Sequence, residues 1–218
     1  MATRLPLFPL DAALFPGARL GLHIFEPRYR ALLADITATD LRFGMVSANP
    51  DGGPPAPGSV GCVARVIHQQ LLANGESTVQ VIGEERFILR SLDADEAPYL
   101  VGEVDQFDDE VDAPPLPGDL LITLRALGLR CRAAAELLFE TPPEESWSED
   151  PARLTFQIAA IMPWQPDEAR HLLTLKSAAE RGVLLLQFLP RLVPELEARV
   201  AIHNRARTNG HGPSAHPA

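Results

Sequence analysis

Apolar residues alternate with polar ones at a period of two through much of the first half of this 218-residue chain, and recur every three to four positions through the second half. A period of two puts successive side chains on opposite faces of a strand, whereas the longer period builds one apolar stripe on a helix. Strands are predicted at 42–47, 59–72, 77–90 and 99–107. In the second of these Val60, Cys62, Ala64 and Val66 share a face, as Val79 and Val81 do in the third. Asn74-Gly75 between them is a hairpin signal. Gly61 and Gly83 mark bends, as at the corners of a small barrel. Residues 48–58, ANPDGGPPAPG, form a loop.

The first 30 residues contain LPLFPLDAALFPGARLGLHIFEPRYR. Pro9 and Pro16 lack a backbone donor and are excluded from a central strand, while Phe8 and Phe15 before them are pushed toward extended conformations. Pro16-Gly17 then makes a tight turn, Pro setting φ and Gly taking a positive one. Strand, loop, turn and strand follow in order, with Phe8, Phe15 and Phe25 expected inside. Pro27 opens a helix to about residue 37.

Acids and prolines crowd 108–118, DDEVDAPPLPG, which reads as a linker. Beyond it everything is helical in pattern. A helix over 119–140 should stop at Thr141-Pro142-Pro143. Asp150-Pro151 is an N-cap and first-turn pair, Pro166 begins another helix, and Ser177 with Glu180 matches a capping box for the last. Pro190 and Pro194 should kink or break that helix. The residues thus predict a barrel-like mixed part followed by a helical bundle.

Composition narrows the picture. Charged residues at 22% and hydrophobic ones at 46% indicate a folded core, in one large or two small domains. The apolar runs are too short to span a bilayer, no signal-type apolar segment opens the chain, and a cytoplasmic location is the default. Cys62 and Cys131 form no Cys-x-x-Cys. The net charge of −10 argues against nonspecific nucleic-acid or anionic-membrane binding.

Three stretches carry a family resemblance. LPLFPL, then FPG at Phe15, Pro16 and Gly17, then FEPRY from Phe25, resemble the opening of the N-terminal substrate-binding domain of Lon proteases, most closely in the small proteins that carry only that domain. The run VGCVARVIHQQLLANGESTVQVIGEERFIL is similar to the family's valine-glycine segment and its long hairpin ending in Gly-x-x-Arg-Phe, with Arg86 as that arginine. The helical stretch 154–189 is similar in hydrophobic pattern. The resemblance implies an α+β fold: a PUA-like pseudo-β-barrel over 1–110, an all-α helical bundle over 118–207 and a disordered tail over 208–218. It also implies engagement of unfolded or specific polypeptides.

Catalytic chemistry finds no support. A Gly-x-x-x-x-Gly-Lys run is absent, and the sole lysine, Lys176, has no glycine-rich lead-in. Gly212-Pro213-Ser214-Ala215 echoes the surroundings of Lon's catalytic serine, but lies in the tail without a downstream lysine. The histidines lack zinc-protease spacing; His211 and His216 are tail residues, and His23 and His68 read as strand residues. No catalytic residue, metal or cofactor is therefore assigned.

Glu26, Arg28, Tyr29 and Arg30 could form the lip of a groove, but a helix-start role for Glu26 and an ion pair for Arg28 are favoured. Arg86 should pair inside the barrel, the acids of 105–112 should be solvated, and Trp147 and Trp164 should pack between helices. In a polypeptide binder the contacts would be Phe25, Glu26, Arg28, Tyr29, Arg30, the Asn74-Gly75 hairpin and Trp164, around an apolar cleft between barrel and bundle. The leading reading is a non-catalytic polypeptide-binding module. The alternative is an RNA- or nucleotide-binding module, since PUA-like barrels of other families bind RNA.

Overall fold

A computed structural model of the chain describes residues 3–49, 51–93, 97–139 and 147–209. Six strands, β1 (Thr3–Pro9), β2 (Arg19–Ile24), β3 (Arg42–Val46), β4 (Val60–Leu71), β5 (Ser77–Asp93) and β6 (Val101–Gln106), form one mixed sheet in the order β2-β5-β4-β3-β1-β6. β1 runs parallel to β3, and the other pairings are antiparallel. β5 is long enough to serve twice: its first part pairs with β2, its last part with β6. That second pairing closes β5, β4, β3, β1 and β6 into a ring and leaves β2 outside it. The sheet is barrel-like without being a regular barrel.

Alternation supplies the sheet with two apolar faces. Leu5, Leu7, Val63, Phe87 and Leu89 pack together on one side. Phe8, Phe43, Met45, Cys62, Ala64, Val79 and Val81 pack on the other, against Tyr29, Leu32, Leu33 and Ile36 of α1 (Pro27–Thr37). Alternation along β4 puts Val63 in the first group and Cys62 and Ala64 in the second, and a register shift opposite them leaves the extra residue in β5 at Glu84-Glu85. At Gly61 a Cβ would lie 2.4 Å from the Met45 carbonyl oxygen and from Phe87, so close packing keeps it bare.

The turn at Pro16-Gly17 forms as the sequence indicates. Ala18 N–H donates to the Phe15 carbonyl at 2.9 Å, and Gly17 takes φ 78°. Gly17 N–H donates to Gly83, whose own N–H donates to Ala18, a glycine bulge that seats the turn on β5. Pro9 ends β1 rather than interrupting it.

Helices α2 (Gly118–Phe139), α3 (Pro151–Ala160), α4 (Pro166–Thr174) and α5 (Ala178–Asn209) follow, and among the described residues no strand lies after β6. Asp150 caps α3, accepting from Ala152 N–H, and Gln165 with Glu168 closes a capping box on α4. Their core holds Leu124 and Cys131 of α2 against Leu185, Leu189, Val193 and Leu196 of α5. Phe15 belongs to this core, its ring stacked 6.2 Å from that of Phe156.

Four expectations are corrected. Phe25 is not inside; it is 56% exposed. Ile24, the last inward residue of β2, takes the buried place, and strand alternation turns Phe25 outward. Pro190 and Pro194 do not break α5, which runs through both. The segment 108–118 is more than a solvated linker: Leu116 is buried in the helical core, and Asp109 is half-buried, bonded to two buried arginines. Arg86 points out of the sheet toward the helices instead of pairing inside the barrel. The expected helix stop at Thr141-Pro142-Pro143, and the tail with His211, Ser214 and His216, lie outside the described residues; α2 is described as far as Phe139, and α5 reaches Asn209.

Candidate functional site

The β-rich and helical parts meet at a buried ion cluster. Arg86 of β5 is 4% exposed, and Arg181 of α5 is fully buried. Both donate to Asp109: Arg86 Nη2 at 2.6 Å, and Arg181 Nη1 and Nη2 at 2.7 and 2.6 Å. Arg86 Nη1 also donates to the carbonyls of Leu173 and Leu175, each at 2.7 Å, and Arg181 Nε donates to Thr155 Oγ1 at 3.0 Å. Phe156 lies under both guanidiniums, at 5.1 and 4.1 Å. Burial works to raise the Asp109 pKa, but the hydrogen bonds and charges of Arg181 and Arg86 outweigh it and hold the carboxyl below its ordinary value. Burial lowers that of Arg86 despite Asp109. Asp109 joins strand, connecting segment and last helix into one unit.

Above this cluster opens a polar cleft of about 880 Å³, lined by Gly17, Arg65, Glu84, Glu85, Asp108 and Arg153 among others. Its charges largely cancel in place. Glu84 receives Arg42 at 2.9 Å and Arg65 at 2.6 Å, and Glu85 pairs with Arg42. Among the described residues no group of three His, Cys, Asp or Glu is arranged to hold a metal ion. Both cysteines are free and buried; burial pushes the Cys131 thiol up to about 11 and that of Cys62 further, so neither is a ready thiolate.

The apolar recess lies elsewhere, around Trp164. Its indole N–H donates to the Ala159 carbonyl at 2.8 Å, which fixes the ring edge-on to Phe188 at 5.0 Å. On one side is a basin of about 470 Å³ lined by Met162, Phe188 and Leu192, with Glu168, Arg191 and Glu195 at its rim. On the other is a basin of about 260 Å³ between residues 11–15 and 18–20 of the N-terminal part and Ala159–Ala169 of the helices. Met162, Pro163 and Trp164 wall both, so the two basins adjoin across this shared wall, and together they are termed the trough, with Trp164 as its ridge. Arg170 holds the loop wall, reaching Asp11 at 3.1 Å.

The model of the ATP-dependent protease La (LON) substrate-binding domain matches residues 4–191, which takes in all but the first residue of the sheet, the ion cluster and Trp164. The chain belongs to that family. A crystal structure of a Lon N-terminal domain protein from Xanthomonas campestris superposes with a TM-score of 0.62 at 26% identity, over 85% of this chain and 98% of that one. The N-terminal domain of Mycobacterium avium complex Lon protease gives the same TM-score at 16% identity, over 87% and 99%, and shows the shared fold. Lon proteases of Porphyromonas gingivalis and Cytophaga hutchinsonii are 25% and 22% identical over 95% and 94% of the chain. The chain spans about a quarter, 26%, of those two proteins.

Within this Lon-type fold the expected contact residues separate. Phe25, Glu26, Arg28, Tyr29 and Arg30 surround the start of α1. Arg28 pairs with Glu26 at 2.8 Å and lies 4.6 Å over the Tyr29 ring, which is itself buried against Phe8. Glu26 is the N-cap residue but makes no side-chain cap bond. Arg30 stands beside the Asn74-Gly75 hairpin, where a Cβ on Gly75 would meet its Nη2 at 2.8 Å. Trp164 lines the trough, and none of the other five does. Trp147 packs its ring on Gly128 of α2. Sequence reasoning missed Phe188, the 11–15 wall and the partners of Arg86. The signal available for Phe188 was an aromatic on the apolar stripe of α5. For Asp109 there was none, one carboxylate among several.

Proposed function

We propose that this chain is a non-catalytic, cytoplasmic polypeptide-recognition module that takes apolar segments of other chains into the trough at Trp164. The observation that carries the reading is the trough itself. Its aromatic ridge is pinned by a main-chain hydrogen bond and flanked by two apolar basins, in a family named for substrate binding. A fixed aromatic gives apolar contact area at little ordering cost, as recognition surfaces require. The larger polar cleft suits the role less, because its lining is charged and Glu84, Glu85 and Arg65 are already engaged in ion pairs. A division into a β-rich unit over 1–110 and a helical unit over 118–207 belongs to the same proposal, with the smaller basin of the trough opening along their junction.

The experiment offers the immobilised protein a peptide array and an RNA pool at two salt concentrations. Retention of apolar peptides that survives added salt is expected, since apolar capture is insensitive to counterions. Salt-labile RNA retention would transfer the assignment to nucleic acid, whose binding falls steeply with salt. A Trp164→Ala variant should lose peptide retention while keeping its circular dichroism.

A further inference from the structure

β2 is bonded along one edge only, to β5, among the described residues. The direction of its main-chain groups follows from the register. Pairing runs from Arg19 opposite Ile82 to Ile24 opposite Ser77, and one step before it Gly83 N–H donates to the Ala18 carbonyl at 2.9 Å. Bonded and unbonded pairs alternate along an antiparallel ladder. Ala18, Leu20, Leu22 and Ile24 therefore bond to β5, and Gly21 and His23 turn their N–H and C=O groups outward. Among the described residues these four groups have no main-chain partner. Such a row is complementary to another extended main chain.

The surroundings of this edge are apolar at both ends. Leu20 lines the smaller basin of the trough, and exposed Phe25 stands beyond the other end, its ring 5.6 Å from that of His23. At the centre a Cβ on Gly21 would meet nothing within 4 Å, so the sheet face there is open and an alanine fits without displacing a neighbour. Charge selects among segments. Within the trough the charges nearly balance, Asp11 being paired with Arg170 and Glu168 and Glu195 standing beside Arg19 and Arg191, but the chain's net charge of −10 disfavours acidic segments and favours apolar ones with basic flanks.

We propose that the segment captured by this protein adds to β2 as an extra strand, bonded through its main chain to Gly21 and His23. Its apolar side chains would reach Phe25 at one end and the Trp164 trough at the other. The occupant is an extended, apolar polypeptide segment with basic flanks. Main-chain bonding of this kind tolerates many sequences, leaving selection to the trough and the flanking charge. The inference rests on the polypeptide-binding reading and specifies how the segment is held.

The test uses a fluorescein-labelled peptide of about nine residues, long enough to cover β2 at about 3.3 Å per residue, with valine and threonine alternating between terminal lysines. Binding is read by anisotropy. Gly21→Pro removes one outward N–H and no β2–β5 bond, and should weaken binding by about tenfold or more, while Gly21→Ala should match the wild type. N-methylation of alternate peptide residues should abolish binding in one frame and spare it in the other. If Gly21→Pro does not fold, the N-methyl series on the wild-type protein decides. Equal sensitivity in both frames, or unchanged binding by a folded Gly21→Pro, would overturn strand addition while leaving the polypeptide reading intact. Failure of the wild type to bind this peptide or any member of the array would remove both. Dimerisation through the edge, seen in sedimentation as a wild-type dimer and a monomeric Gly21→Pro, would overturn the assignment by making a second copy the occupant.

Discussion

Replacing Asp109 by alanine should be the most damaging single change at the junction of sheet and helices. The carboxylate is 27% exposed, but its two partners are 4% and 0% exposed and retain their charge when it is gone. Removing one partner of a buried ion cluster costs about 3–5 kcal/mol, because the remaining charges stay desolvated and uncompensated. Two stranded guanidiniums on the Phe156 ring place Asp109→Ala toward the upper part of that range. In a chain of this length a loss of that size lowers the melting temperature by roughly 6–20 °C. Urea unfolding followed by far-ultraviolet circular dichroism and by tryptophan fluorescence supplies the free energy, provided the two probes coincide. Asp109→Asn should cost less, since one acceptor oxygen remains for the three N–H groups of the two arginines. The pH dependence has a defined sign. A carboxyl whose pKa is depressed in the folded state stabilises above its unfolded value, and that stability is lost as pH falls through the folded value. The gap between wild type and Asp109→Asn should therefore be constant near neutrality and shrink below about pH 4. A change under about 1 kcal/mol for Asp109→Ala, of the size found for exposed pairs, would refute the buried-latch reasoning.

Other outcomes follow from burial. Phe15→Ala should cost about 3–5 kcal/mol in denaturant unfolding, and Phe25→Ala should stay within about 0.5 kcal/mol while weakening peptide binding. Cys62 and Cys131 should resist a thiol reagent at pH 8 in the native protein and both react once it is unfolded, because both are buried with raised pKa values.

The readable parts of the chain are those where local chemistry decides conformation. Pro16-Gly17 could form only a turn requiring a positive φ, and it does. Pro27 marked the first residue of α1, and Asp150-Pro151 the start of α3. Phe25 was misplaced because its motif was weighed above its strand: Leu20, Leu22 and Ile24 already alternate inward against Gly21, His23 and Phe25. The continuity of α5 was not legible, since the local cost of Pro190 and Pro194 is offset by packing of Leu185, Leu189 and Val193 against other helices. Asp109 was hidden for a related reason. Its partners lie far away in sequence at Arg86 and Arg181, and nothing in DDEVD distinguishes it from its neighbours. Trp164 and a cleft between barrel and bundle were singled out from the sequence, but the second wall was not, because it comes from the loop Asp11, Ala12, Ala13 and Leu14, which carries no binding signal of its own.

The central claim, capture of extended polypeptide, is tested most directly by comparing one client protein in two states. A reduced, alkylated and permanently unfolded chain and its native counterpart share composition and charge, and differ in whether extended apolar segments are accessible. Equilibrium binding of each to this protein, measured by anisotropy in moderate salt, should give saturable binding of the unfolded form and none of the native one, with Trp164→Ala abolishing the signal. Equal binding of both forms, or binding of neither, would contradict the account.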